Sequence, residues 1–345
     1  MPAPTLQDWS ALYAAASEFR RLEPWQWMVD DDVFGVKDPV SGQIGYCVIM
    51  GNLGEFLGMG VYLGTSALTA LKRMHEGEVG PGNLEAMFIQ DCLMASFEDR
   101  RSQEKEDLQV IKSLGLKFKG ATNWPLFRRY EPGYPPWFIS GAEARFLTVA
   151  LQQAKDVATR FMKEPDLLVP PEPHDHFVRV PVAGDQGLGW LDAWLKPAPV
   201  EPPVVATEQK LNTVRLEAIR EANYPRRGNW EVDFSFMPAP IGDRSHRPYY
   251  PYVFLCMDRG SGMILSTAVA KPSEHWGEFQ EQFYNAVEGT KTVPEKVFVS
   301  RQEMHELLQR IAERLGFALK AVRSLSVLDK ARNEMMGFMG GEPLV

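Results

Sequence analysis

Residues 230–270 contain three apolar segments of strand length that are separated by turn residues. The segments are Trp230–Phe236, Tyr252–Asp258 and Met263–Ala270, and they are rich in β-branched and aromatic residues. The residues between the last two, Arg259–Gly262, are typical of a tight turn, because glycine accepts the positive φ angles that such turns need. The spacing predicts an antiparallel three-stranded opening, and this opening constrains the C-terminal fold more than any other feature.

Helical and strand patterns alternate after this opening. Apolar residues recur at helical spacing over Ser273–Val287, and Lys296–Ser300 is a short apolar segment typical of a buried strand. A further helix ending at Gly316, a strand over Phe317–Val322 and a last helix complete the order βββαβαβα. This order predicts an α/β domain with a mixed sheet and helices on its faces.

The N-terminal region is predicted to be α+β, with a mainly antiparallel sheet and helices on one face. Apolar stripes predict helices over residues 9–22 and 141–162, and strands are expected within residues 32–63 and 85–97. The segment Trp124–Trp137 combines prolines with aromatic residues, and we expect it to be irregular.

Two proline-rich passages, residues 164–173 and 196–203, divide the chain. Proline at this density favours an extended connector. The sequence therefore predicts an N-terminal domain over residues 1–163, a Pro-rich linker with a short strand over 164–204, and a C-terminal domain over 205–345.

The charge is unevenly distributed. Residues 205–345 hold equal numbers of basic and acidic side chains, so the net charge of −8 comes from residues 1–204. Proteins that grip nucleic-acid phosphates usually carry a basic surplus. We therefore do not expect nucleic acid as a partner.

The three cysteines, Cys47, Cys92 and Cys256, are an odd number and lie far apart in apolar segments. They predict buried thiols in a reducing compartment. The N-terminus has no signal-peptide pattern, and no apolar stretch is long enough to cross a membrane. The prediction is a cytoplasmic protein without a membrane partner.

The C-terminal element order and strand residues resemble the ribonuclease-H-like core of transposases and retroviral integrases. That resemblance implies metal-binding carboxylates on the first strand, at the end of the fourth strand and on a later helix. Asp233 stands at the first place, and Ser300 followed by Arg301 stands at the second. Glu334 lies at about the spacing of the third. Because losing a ligand normally ends two-metal hydrolysis, the resemblance implies an inactive domain.

The strand acids also have structural interpretations. Asp233 would suit a strand carboxylate paired with an arginine, and Asp258 begins a sequence typical of a hairpin turn. If the domain is an enzyme acting on nucleic acid, its rearranged metal site would be built from Asp233, Asp258 and Glu334.

Four arginines, Arg226, Arg227, Arg244 and Arg247, lie near the ends of the first two C-terminal strands. Guanidinium groups beside aromatic residues can hold an anion, so these four form a candidate anion site. Solvated loops are the competing interpretation.

His174 and His176 would point the same way on an extended strand and could share a metal ion. No third His or Cys is near in sequence, so we favour a solvated loop and expect neither metal nor cofactor.

Trp124, Tyr134 and Trp137 could line a ligand or interface groove. The competing interpretation, which we favour, is that these aromatic residues cover the sheet as core.

The whole chain resembles an uncharacterised bacterial two-domain family, through strings such as Val61–Gly64, Asn123–Pro125 and Pro251–Phe254. This resemblance implies no activity. The sequence thus favours a non-enzymatic binding or interaction protein with a protein or small-molecule partner, and the alternative is the metal-dependent enzyme described above.

Overall fold

The computed structural model describes residues 2–54, 56–77, 89–184, 187–200, 210–237, 239–242, 247–272 and 275–338. The chain forms two compact units. The first comprises Met1–Pro132 with Pro136–Val200, and the second comprises Gly133–Pro135 with Glu201–Val345. Each unit is mixed α/β and is built around its own mixed sheet.

The sheet of the first unit has the strand order β6-β5-β4-β3-β2-β1-β7-β8. Strands β1 to β5 pair antiparallel in chain order, and β8 pairs antiparallel with β7. Strands β1 and β7 run parallel. The strands are β1 Phe34–Lys37, β2 Ile44–Met50, β3 Gly58–Leu63, β4 Cys92–Glu98, β5 Trp124–Glu131, β6 Tyr134–Trp137, β7 His176–Gly184 and β8 Gly187–Leu195.

Helices α1 Leu6–Leu22 and α4 Gly141–Phe161 pack on one face of this sheet. Capping boxes begin both helices, because Thr5 exchanges hydrogen bonds with Asp8 and Ser140 does so with Glu143. Their apolar stripes bury Leu12, Phe19, Leu147 and Leu151 against alternate residues of the strands. Helix α3 Lys105–Ser113 adds Ile111 to the same cluster.

Helix α2, Gly64–His75, lies on the opposite face of the sheet. Its Ala67, Leu68 and Leu71 pack with Tyr46 and Tyr62, whose side chains alternate with the residues that face the main cluster. The expectation that helices cover only one face is therefore wrong. The physical reason is that β2 and β3 are apolar on both faces, so both faces need cover.

The segment Trp124–Trp137 was expected to be irregular, and instead it forms strands β5 and β6. Pro135 and Pro136 lie on β6, which is the outermost strand. An outer strand tolerates proline because one side of its backbone needs no partner. Pro125 lies near the start of β5, where proline is also tolerated.

The region expected to be a linker with one short strand contains two long strands of the first sheet. Strand β7 pairs with β1 through Gly35↔Val178 and Val36↔Arg179, and β8 folds back along β7. The proline-rich composition predicted a connector, but the strand residues lie between the two proline clusters and add to the sheet.

The sheet of the second unit has the order β11-β10-β9-β12-β13. Strands β9, β10 and β11 pair antiparallel, and β9, β12 and β13 pair parallel. The strands are β9 Asn229–Phe236, β10 Tyr252–Asp258, β11 Ile264–Ala270, β12 Lys296–Val299 and β13 Ala318–Ala321.

Helices cover both faces of this second sheet. One face packs on α5 Thr213–Glu221, α6 His275–Thr290 and α7 Gln302–Leu315, with Trp230, Val232 and Phe234 of β9 in that core. Helix α8, Ser326–Phe338, covers the other face through Leu328. The face of β9 that α8 covers carries two acidic residues, Glu231 and Asp233. Apolar side chains would be expected at these positions, because the strand is covered on both faces.

No described helix is long and apolar enough to cross a membrane.

Candidate functional site

The central strand of the second sheet carries two buried carboxylates. Glu231 and Asp233 are both 0% exposed, and they alternate along β9 with Trp230, Val232 and Phe234 of the apolar core. Burying a charged group is unfavourable unless hydrogen bonds or opposite charges compensate. The partners of these two acids therefore define what the site can do.

Asp233 is held by backbone and hydroxyl donors. Its Oδ2 accepts hydrogen bonds from the Ser300 N–H, at 3.0 Å, and from the Ser300 hydroxyl. Its Oδ1 accepts one from the Phe234 N–H at 2.9 Å. Ser300 reaches this carboxylate because β12 runs parallel to β9 and ends beside it.

Two guanidinium groups lie next to Asp233. Arg301 Nε is 3.9 Å from Asp233 Oδ1, and it donates to the Phe234 carbonyl at 3.2 Å. Arg332 of α8 donates to the same carbonyl at 2.7 Å and pairs with Asp329 at 3.3 Å. Both arginines therefore bring positive charge to the carboxyl end of β9.

Burial lowers the pKa of Arg332, and the positive charge of Arg301 lowers it further, whereas Asp233 and Asp329 raise it. Guanidinium groups remain protonated in proteins despite such shifts. The cations that compensate Asp233 are thus side chains of the chain itself.

Glu231 caps the last helix. Its Oε2 accepts hydrogen bonds from the backbone N–H groups of Val327 and Leu328, both at 2.9 Å, and Arg259 Nε lies 3.3 Å from its Oε1. A carboxylate at a helix N-terminus satisfies N–H groups that lack partners within the helix. The signal in the sequence was a glutamate at a strand position flanked by apolar residues, and its role was missed.

The three acids of the enzyme alternative do not converge. Asp258 pairs with Trp230, whose side chain lies on the other face of the sheet from Asp233, and its Oδ1 accepts from the Ser261 N–H and hydroxyl. Glu334 is 71% exposed and lies 3.9 Å from Lys330. Within the described ranges, no group of three or more His, Cys, Asp or Glu is arranged to hold a metal ion.

The four arginines of the predicted anion site have different surroundings. Arg226 donates to the Gly316 and Leu315 carbonyls at the end of α7, so it caps that helix. The Arg227 backbone N–H donates to Val293, and the Arg247 guanidinium lies 4.5 Å from the centre of the Tyr134 ring. Arg244 lies outside the described residues. An anion site shared by these arginines stays a prediction.

The three aromatic residues of the predicted groove also have different neighbours. Trp124 packs against the core of the first unit and lies 5.8 Å from the Phe118 ring. Trp137 contacts Phe138 at 5.4 Å between ring centres, whereas Tyr134 lies beside Arg247. The packing of Trp124 agrees with a core role, and a groove formed by the three residues stays a prediction.

His174 and His176 line a cleft of about 630 Å³ in the first unit, together with Asp31, Lys72 and His75. His176 Nε2 lies 3.2 Å from Lys72 Nζ. Burial, followed by the nearby charge of Lys72, lowers the pKa of His176 to about 4. A neutral imidazole accepting from an ammonium group does not present that nitrogen to a metal ion.

His75 Nδ1 lies 3.1 Å from Asp31 Oδ1 on the rim of the same cleft. The cleft thus combines an ammonium group, imidazoles and a carboxylate with the apolar residues Val33, Leu168 and Pro170. Such a lining suits a small polar ligand better than a metal ion.

Two family models match the chain. Residues 9–179 match a domain of unknown function (DUF7309), and residues 215–336 match a second domain of unknown function (DUF6930). No curated protein matches significantly.

Among solved structures, the chain is similar to the HTLV-2 integrase catalytic core domain in complex with magnesium. The trimeric form is 13% identical over 34% of this chain and 78% of that chain, with a TM-score of 0.23. The dimeric form is 14% identical over 35% of this chain and 80% of that chain, also with a TM-score of 0.23. A TM-score of this size is too low to support a functional argument.

Proposed function

We propose that the chain is a binding or interaction protein without enzymatic activity, whose second unit is a ribonuclease-H-like domain that holds no catalytic metal ions. The observation that carries this proposal is the environment of Asp233. Its oxygen atoms accept hydrogen bonds from Ser300 and Phe234, and the cations beside it are Arg301 and Arg332.

The order of elements supports the fold proposed for the second unit. Three antiparallel strands are followed by helix, strand, helix, strand and helix, and the first strand is central in the sheet. The resemblance found in the sequence implies this succession. Membership of the bacterial two-domain family that the sequence resembles is part of the proposal, and the two separate family models, over residues 9–179 and 215–336, support its two-domain organisation.

The physical argument against catalysis is electrostatic. Two divalent cations about 4 Å apart need several converging carboxylate oxygens. The end of β12 offers the Ser300 hydroxyl and the Arg301 guanidinium, and the last helix, α8, offers Arg332 beside Asp233. A cation at this position would meet two fixed positive charges.

We propose a protein or a small molecule as the partner. The cleft lined by Lys72, His75 and His176 supports a small polar ligand, because its lining combines these polar groups with the apolar residues Val33, Leu168 and Pro170. The net charge of −8 argues against nucleic acid.

A cytoplasmic location is part of the same proposal. Cys47, Cys92 and Cys256 are buried and form no disulfide, and burial raises the pKa of each thiol. Buried, protonated thiols are compatible with a reducing compartment. Fractionation of the cells that produce the chain would test the location directly.

Calorimetric titration of the full chain with Mn²⁺ and Mg²⁺, with cleavage assays on labelled single- and double-stranded DNA and RNA, tests the absence of catalysis. We expect neither binding heat nor cleavage. A double variant, Ser300→Asp with Arg332→Glu, is the matched positive control, because it places carboxylates around Asp233. Metal-dependent cleavage by the wild type that Asp233→Asn abolishes would overturn the proposal.

A further inference from the structure

Strand β8 is an outer strand of the first sheet and offers an open backbone edge. It pairs with β7 along its length, from Gly184↔Gly187 to His176↔Leu195. Within the part of the chain that the structure describes, no other strand pairs with it. An outer strand presents a row of N–H and C=O groups that can pair with a further strand.

The other outer strands carry features that oppose such pairing. Strand β6 contains Pro135 and Pro136, which lack N–H donors. Strand β13 has only four residues and includes Lys320. Strand β11 pairs with β10 through a register irregularity between Cys256 and Met257. Short length, proline, lysine and bulges are the common protections of sheet edges.

Strand β8 has none of these protections. Its nine residues include neither proline nor lysine. Its one charged residue, Asp192, is paired with Arg160 at 2.6 Å and with Arg179. Leu188 and Leu191 are 53% and 58% exposed. A long apolar edge without protection is suited to pairing with another strand.

We propose that the occupant of this edge is β8 of a second copy of the chain, paired antiparallel about a two-fold axis at Leu191. This arrangement joins the two first-unit sheets into one continuous sheet. A two-fold interface requires a surface that is complementary to itself, and the sequence of β8 meets this requirement.

The two ends of β8 differ in side-chain size. One end is Gly187-Leu-Gly189 and the other is Ala193-Trp-Leu195. Pairing about Leu191 sets Gly187 opposite Leu195 and Gly189 opposite Ala193 on one face, and Leu188 opposite Trp194 on the other. The remaining pair is Trp190 with Asp192, whose carboxylate is already paired with Arg160. The Gly–Leu and Leu–Trp pairs combine side chains that fill the space between paired strands.

Other arrangements fit less well. A parallel arrangement of the same two strands would set glycine against glycine and Trp194 against Trp194, which leaves gaps at one end and crowding at the other. An unrelated extended peptide could form the same backbone hydrogen bonds, and a wild type that stays monomeric would point to such an occupant instead.

The mass of the full chain in solution, measured by light scattering over a concentration series, is the primary test. We expect twice the 39.0 kDa of one chain. Leu191→Lys places two ammonium groups together on the two-fold axis, and this variant should be monomeric and folded, with a melting temperature that no longer depends on protein concentration. Met162→Lys, at a residue that is 52% exposed in the same unit but outside β8, should remain dimeric.

Cross-linking tests the register. Residues directly opposite in an antiparallel pair have Cα atoms about 4.5–5.5 Å apart, which is within disulfide reach. Oxidised Leu191→Cys should therefore give a covalent dimer on a non-reducing gel, whereas Leu188→Cys, which faces Trp194, should not. The three native cysteines are buried and do not interfere. A wild type that is monomeric at every concentration, a dimeric Leu191→Lys variant, or equal cross-linking of the two cysteine variants would overturn the proposal.

Discussion

Replacing Asp233 with asparagine tests whether Arg301 and Arg332 stabilise the fold by compensating the charge of this carboxylate. The Asp233 side chain is fully buried, and Arg301 and Arg332 both donate to the adjacent Phe234 carbonyl. Removing one partner of a buried charged pair destabilises a protein by about 3–5 kcal/mol. The Arg301 side chain is 32% exposed, so solvent screens part of this effect. We expect the free energy of unfolding to fall by about 2–4 kcal/mol.

The opposite sign is expected if Asp233 is kept as a metal ligand. A carboxylate retained for binding cations destabilises the unbound protein, and neutralising it would then raise stability. Urea unfolding followed by circular dichroism, without divalent cations, measures the difference. A stability equal to or above that of the wild type would refute the reasoning.

Two variants make this measurement specific. Glu334→Gln changes an acid that is 71% exposed, and it should change stability by no more than about 0.5 kcal/mol. The double variant of Asp233→Asn with Arg332→Met should lose less stability than the sum of the single variants, by about 1–3 kcal/mol, because the two side chains interact.

Three further predictions concern stability. Burial lowers the pKa of His275 to about 4, whereas the unfolded chain takes up the proton near 6.5. The free energy of unfolding should therefore fall as the pH drops from 6.5 to 4. The loss should be about 2–3 kcal/mol larger in the wild type than in His275→Phe, and urea unfolding at several pH values measures it. Glu231→Gln should lower the free energy of unfolding by about 1.5–3 kcal/mol, because it weakens the charge-assisted hydrogen bonds to the start of α8. Unchanged hydrogen exchange of the Val327 and Leu328 amides would contradict this role. Arg128→Met should lower the free energy of unfolding of the first unit by about 3–5 kcal/mol, since it leaves the buried Asp107 without its guanidinium partner. A melting temperature equal to that of the wild type would contradict this prediction.

Periodicity predicted most elements of the second unit because its apolar residues repeat at intervals that only one secondary structure satisfies. The strand from Tyr252 to Asp258 was expected with those bounds, and the helix ending before Gly316 was expected from the glycine that follows it. The local environment of Asp233 was also partly visible, since Ser300 and Arg301 follow directly after a predicted strand.

Other features depended on neighbours distant in the chain. Arg332 reaches the Phe234 carbonyl across 98 residues, and no spacing pattern connects the two. The prolines on either side of Phe177 predict a linker, because composition describes the flanking residues and not the strand that a segment joins.

The sequence by itself determined where most helices and strands of the second unit form, because backbone propensity and apolar spacing act over a few residues. It also determined that the carboxyl end of β12 supplies a hydroxyl and a guanidinium. Only the tertiary structure decided which groups neutralise the buried acids of β9 and which strands form the outer edges of the first sheet. The reason is that charge compensation and strand pairing depend on distances between segments that the order of residues does not specify.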